Sequence, residues 1–83
     1  MKVRYFAWMK RTVGLPEEEI TPPAGIDTVG DLVVWLRARS PGHAEALAEG
    51  AAFGAAVDQR TATFDVKLAG AREVAFFPPF TGG

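Results

Sequence analysis

Two glycines, Gly82-Gly83, close the sequence directly after Phe76-Phe77-Pro78-Pro79-Phe80-Thr81, and the group there with a chemical use is a terminal carboxylate. Glycine has no Cβ, so a last peptide built from it can pass a narrow channel and adopt angles closed to other residues. Each proline locks its own φ and restricts the residue before it, which keeps Phe77 to Phe80 extended where the chain leaves its domain. Pro78 to Gly83, fully extended, would reach roughly 20 Å, enough to enter another protein's active site. With Gly83 as the terminus, its α-carboxyl group has an ordinary pKa of about 3.5, is ionised at neutral pH and is a poor electrophile. A partner that transfers adenylate from ATP would convert it to a mixed anhydride, open to attack by sulfide, a persulfide or an amine. The plain alternative is a frayed end whose glycines are accidental.

The other residue types that do chemistry are sparse. There is no cysteine, which excludes disulfides, a thiolate nucleophile and Cys-ligated zinc or iron-sulfur sites. If sulfur is handled, it must ride on something other than a thiol side chain. His43 is the single histidine, with no Asp, Glu or Cys at a recognisable catalytic or metal spacing, and is expected at the surface after a helix end. Glu17-Glu18-Glu19 could bind a metal or a basic partner; a solvated strand edge that discourages sheet-to-sheet association is the simpler expectation. Ser40 has no base beside it in sequence and reads as a turn residue. Gly50 to Gly54 lacks the Lys and Ser/Thr of a phosphate-binding loop, and Gly25 to Gly30 lacks the glycine spacing, so no nucleotide, cofactor or metal is expected to bind this chain.

The elements that must position such a tail fit one small domain. Eighty-three residues, 48% hydrophobic and 23% charged, describe an ordinary folded chain with a modest core. Nine basic residues against ten acidic ones leave no basic footprint for nucleic acid. No apolar run has the length of a membrane span and the N-terminus lacks a signal-peptide hydrophobic region, so a soluble, cytoplasmic protein is expected.

Met1 to Met9 reads as a strand with Val3, Tyr5 and Ala7 on one face and Arg4, Phe6 and Trp8 on the other, both apolar enough to be buried. Lys10 to Pro16 reads as a loop into a second strand over Glu18 to Thr21, antiparallel to the first. Thr28 is placed to cap a helix with Asp31 as its weaker capping-box partner. Val29, Leu32, Val33 and Leu36 form its apolar stripe, Trp35 lies at the side, and Ser40-Pro41-Gly42 stops it. His43 to Ala52 suggests a second short helix. Strands are expected over Ala55 to Gln59, Thr61 to Phe64 and Glu73 to Phe77, with a loop from Asp65 to Arg72 that tucks in Val66 and Leu68. A helix between two β-pairs sharing one core gives an α+β domain with a mixed sheet and the main helix across one face.

The stretch from Ala56-Val57-Asp58-Gln59 through Phe64-Asp65 and Leu68 to Glu73-Val74-Ala75-Phe76-Phe77-Pro78-Pro79-Phe80-Thr81-Gly82-Gly83 closely resembles the small subunits of molybdopterin synthase, a family of ubiquitin-like sulfur carriers. Val3 to Phe6 and the Thr28 to Leu36 helix extend the likeness over nearly the whole chain. The resemblance implies a ubiquitin-like β-grasp fold over residues 1–77 and an extended Gly-Gly tail over 78–83. It implies a carrier that is not an enzyme by itself: an E1-like enzyme adenylates Gly83 with ATP, a sulfurtransferase converts it to a thiocarboxylate, and the tail enters the large synthase subunit of a heterotetramer. There the sulfur goes to cyclic pyranopterin monophosphate, and the two sulfurs of a dithiolene require two deliveries. Gly82 and Gly83 would carry the reaction; Phe6, Phe77, Pro78, Pro79, Phe80 and Thr81 would meet the partner, although Phe6 and Phe77 could equally be core residues. Asp58, Thr61 and Ala71-Arg72 depart from the family's usual residues, which bears on partner affinity more than on the tail.

Two alternatives accompany that expectation. One is a carrier for another pathway, thiamine or cysteine synthesis, or a ubiquitin-like protein modifier. The other is a β-grasp interaction module whose tail is never activated.

Overall fold

The structure, a computed structural model, describes residues 1–79. The elements follow as β1 (Lys2–Tyr5), α1 (Trp8–Val13), β2 (Glu17–Glu19), α2 (Val29–Arg37), α3 (Pro41–Ala46), β3 (Gly54–Val57), β4 (Arg60–Ala62) and β5 (Glu73–Phe77). The strands make one mixed sheet in the order β2-β1-β5-β3-β4. At its centre β1 and β5 run parallel, Val3 beside Val74 and Tyr5 beside Phe76, while β2 and β3 flank them antiparallel. The expected α+β domain, a mixed sheet with one main helix, is therefore what the chain forms.

Alternation along β1 turns Val3 and Tyr5 inward, and along β5 Val74 and Phe76, against Val29, Leu32, Val33 and Leu36 of α2. This settles which face of β1 is buried. The stripe of α2 matches its sequence period, and Thr28 caps it as expected: its Oγ1 accepts from Asp31 N–H while Asp31 Oδ2 accepts from Thr28 N–H. Two further N–H groups of the first turn, Val29 and Gly30, donate to the carbonyls of Val66 and Phe64 at 3.0 and 2.8 Å. The expected loop thus closes onto the helix start and buries Leu68, with Val66 half-buried beside it.

Several boundaries differ from the sequence reading: β2, β3 and β4 are shifted to Glu17–Glu19, Gly54–Val57 and Arg60–Ala62, and the larger differences lie in β1 and the two short helices. The first strand ends at Tyr5, not at Met9. Ala7 takes φ +54° and redirects the chain into α1, where the loop was expected to begin; Met9 is buried, and Gly14 closes the helix at φ +94° with its N–H on the Lys10 carbonyl. The second short helix begins at Pro41 and ends at Ala46, because Ser40 is its N-cap and Pro41 suits its first turn. It packs so tightly on α1 that a Cβ on Gly42 would lie 2.5 Å from the Thr12 carbonyl oxygen.

The β3–β4 hairpin turns on Asp58 and Gln59, both at positive φ (+48° and +69°), the pattern of a two-residue turn that Asn or Asp tolerates best. Asp58 also reaches across to β5. Its Oδ1 accepts from the N–H groups of Arg72 and Glu73 at 2.9 and 3.0 Å, which anchors the start of the strand that leads to the tail.

Candidate functional site

The sheet has one face under α2 and one face open. On the open face, cross-strand pairing brings together Lys2, Arg4 and Phe6 from the β1 line, Glu73, Ala75 and Phe77 from β5, Gly54 and Ala56 from β3, and Thr61 from β4. Its centre is small-residued and apolar. Its margin is charged: Lys2 pairs with Glu17 at 3.4 Å, and Arg4 approaches Glu17 and Glu73 at 3.9 and 3.8 Å. These solvent-accessible pairs add little stability, but they place groups of both signs along the β1–β2 side of the apolar centre.

Phe6 and Phe77 stand on this face. Phe6 N–H continues the β1–β5 pairing by donating to the Phe76 carbonyl at 3.1 Å, so the ring projects away from the core on which Tyr5 and Phe76 stack. It is 40% exposed, and the Arg4 guanidinium lies 5.1 Å from its centroid. Of the two readings left open for Phe6, the core one is removed. Phe77 is half-buried, its ring against Gly54 on the neighbouring strand. Pro78 is half-buried and Pro79 exposed. The other residues assigned to the tail, Phe80, Thr81, Gly82 and Gly83, lie outside the described residues. The last described residues thus leave the sheet beside the apolar centre, next to Phe6 and Phe77.

A second polar cluster lies on the core side, and the sequence reading misplaced it. His43 is buried, not at the surface. Its Nε2 is 2.6 Å from Glu18 Oε2 and its Nδ1 2.7 Å from Ser40 Oγ, while Tyr5 Oη donates to the same Glu18 oxygen at 2.7 Å. Arg39 approaches the other carboxylate oxygen at 3.7 Å. Glu18 is accordingly not part of a solvated edge: only Glu17 and Glu19 face solvent, because Glu18 pairs with Val3 and shares its inward face. Burial by itself would raise the Glu18 carboxyl, but the hydrogen bonds from His43 and Tyr5, with the charges of His43 and Arg39, outweigh it and hold the group below the usual carboxylate range. Burial first, and then Glu18, push the Tyr5 phenol well above the ordinary tyrosine range.

A Ser-His-Glu contact order resembles an acyl-transfer triad, but the geometry denies it that use. Ser40 Oγ is already the cap of α3, accepting from His43 N–H at 3.1 Å, and the His43 and Glu18 side chains are only 7% and 12% exposed. With an ionised carboxylate able only to accept, Nε2 carries the proton and the ring serves as a strut between β2 and α3. Part of this was available locally, since Ser40 and His43 sit at capping spacing and Ile20, two positions beyond Glu18, marks the inward face. The meeting of Glu18 with His43 across 25 positions had no local signal. Among the described residues no group of three or more His, Cys, Asp or Glu could hold a metal ion, and no helix is long and apolar enough to cross a membrane.

Comparison with known proteins gives consistent results. The profile of the ThiS family matches residues 3–83. The molybdopterin synthase sulfur carrier subunit of Escherichia coli (strain K12) is 41% identical over 83 residues, which is 100% of this chain and 99% of that one. Among solved structures, SAMP1 from Haloferax volcanii superposes with a TM-score of 0.71 at 24% identity, covering 100% of this chain and 98% of that one. A Pyrococcus furiosus protein provisionally described as molybdopterin converting factor, subunit 1, superposes with the same TM-score at 29% identity, with 94% of each chain covered. The expected ubiquitin-like β-grasp fold is confirmed by these superpositions and by the strand order.

Proposed function

The chain belongs to the ThiS family, and from that premise we propose that it is the sulfur-carrier subunit of a molybdopterin synthase. The observation that carries this reading is end-to-end similarity, 41% identity, to a carrier subunit of that enzyme. The open apolar face beside the tail supports it, since a carrier must be held by a partner while its terminus reacts.

In this reading residues 1–77 are the handle and 78–83 the arm. An oxygen of the Gly83 carboxylate attacks the α-phosphorus of ATP on an E1-like enzyme, pyrophosphate leaves, and an acyl adenylate remains. A sulfide equivalent supplied by a sulfurtransferase displaces AMP and leaves a thiocarboxylate. The arm then enters the large synthase subunit, where the sulfur passes to cyclic pyranopterin monophosphate. The carrier contributes no catalytic side chain of its own: it brings the sulfur, and Phe6, Phe77, Pro78, Pro79, Phe80 and Thr81 meet the partner. The setting for this chemistry is the cytoplasm.

The decisive experiment follows the terminus by intact-mass spectrometry. Incubated with ATP, the activating enzyme and a sulfur donor, the wild-type chain gains the mass difference between sulfur and oxygen, and with the large subunit it converts cyclic pyranopterin monophosphate to molybdopterin. A chain lacking Gly83 folds normally and does neither. Absence of a thiocarboxylate on the wild-type chain would make it an unactivated interaction module. A thiocarboxylate that forms but serves only thiamine or cysteine synthesis, or joins the chain to lysines, would assign it to another branch of the family.

A further inference from the structure

Gly54 opens β3 and lies opposite Phe77 in the antiparallel pair. Its φ is outside the left-handed region, so no turn geometry requires a glycine there. What uses the missing side chain is the Phe77 ring. A Cβ at position 54 would lie 2.6 Å from ring Cε1, 3.1 Å from Cζ and 3.3 Å from Cδ1, the first closer than real Cβ atoms approach anything. A glycine weakens a strand and marks close approach by another group, and an aromatic residue on the neighbouring strand can cover it.

The surroundings restrict the ring further. Ala56 and Ala75, the next residues along the same face, are small, and Phe6 stands across β5 from Gly54, where its own strand ends. Immediately after Phe77 comes Pro78, whose ring restricts the Phe77 backbone to extended conformations. The same residue therefore carries the apolar contact surface and sets the direction in which the chain leaves.

We propose that Gly54 is a positioning residue: it forms a socket that pins the Phe77 ring against the open face and so preorganises the docking surface beside the exit of the tail. The docking half of this statement rests on the carrier reading; the socket itself does not. The three nearest atoms a new Cβ would meet all belong to the Phe77 side-chain ring and none to backbone. In Gly54→Ala the ring can swing away while β3 and β5 stay paired, which separates loss of the pose from loss of the fold.

Two measurements on the full chain test it. In nuclear magnetic resonance spectra of the wild type, the Gly54 α-protons show cross-relaxation with the Phe77 ring and ring-current shifts to high field. In Gly54→Ala the other β-sheet amide shifts persist, but the Phe77 ring protons leave their wild-type positions. Calorimetric titration against the molybdopterin synthase large subunit from the same source then gives a double-mutant cycle. Gly54→Ala weakens binding about tenfold on its own and has no further effect once Phe77→Ala is present, as expected for two residues acting through one contact. Independent, additive losses would overturn the proposal, and so would a wild-type ring without contact to Gly54 or unchanged affinity in Gly54→Ala. A wild-type chain that does not bind the large subunit would overturn the docking half and the carrier reading together, while the socket would stand or fall on the resonance data.

Discussion

Two regions of this small protein reverse the usual distribution of polar and apolar groups, and they do so for opposite purposes. On the core side, Glu18, His43 and Ser40 are drawn in beside Tyr5; on the open side, Phe6 stands 40% exposed and Phe77 is only half covered. The buried cluster is complete. Every oxygen and ring nitrogen in it has a partner within the chain, and among the described residues no buried side-chain polar atom lacks one. Such a cluster fixes the relation between β1, β2 and α3 because displacing any member strands the others. The apolar patch is incomplete by the same criterion, since its rings have a covered side and an open side. One region is closed by folding alone, and the other keeps an open side.

Neighbouring residues give the sharpest way to break that contrast. Phe76 is fully buried and Phe77 is not, so Phe76→Ala is expected to lower unfolding free energy by about 4 kcal/mol, read by urea denaturation. Glu18→Ala should come next. It leaves the Tyr5 hydroxyl and His43 without their shared acceptor and is expected to cost about 3 kcal/mol in the same assay, with affinity for the large subunit preserved in the folded fraction. Phe77→Ala should show the reverse pattern, a weakening of docking by about 2 kcal/mol with little change in stability. If Phe77→Ala instead destabilised the domain as Phe76→Ala does, the two faces would not differ in purpose.

The smallest effect is the pH dependence of the buried cluster. The Glu18 carboxyl is lowered in the folded state from its ordinary 4.5. Its contribution is therefore complete above that value and is lost as pH falls through the lower, folded one. Tyr5 is raised in the folded state; its contribution is complete below the free tyrosine range, about pH 10, and is lost as pH climbs beyond it. Thermal unfolding of wild type and Glu18→Gln across pH should show a shallower acid limb in the variant. Parallel acid limbs would show that other carboxylates govern acid unfolding.

Some of this was legible in residue order alone. The helix over Val29–Arg37, with its Thr28 cap, and the strand over Glu73–Phe77 were readable because their signals are local: a side chain three or four positions away on a helix, or two on a strand, is a fixed neighbour. The succession of aromatic residues, prolines and glycines up to Gly83 was readable for the same reason, and so was the absence of cysteine. The short helix Trp8–Val13 was not, because six residues with β-favouring Trp, Thr and Val are held helical by burial of Met9 and the turn at Ala7 rather than by propensity.

What only the tertiary structure decided is every relation that depends on strand register. Both faces of the first strand are apolar, and it is pairing with β5 and packing under α2 that sends Tyr5 inward and Phe6 outward. The same registry turns one glutamate of three toward His43 and sets Gly54 opposite Phe77. A one-residue slip would move each of these side chains to the other face. The sequence by itself carries the Gly-Gly ending and the local elements; the sheet determines which residues lock the domain and which remain uncovered on its open face.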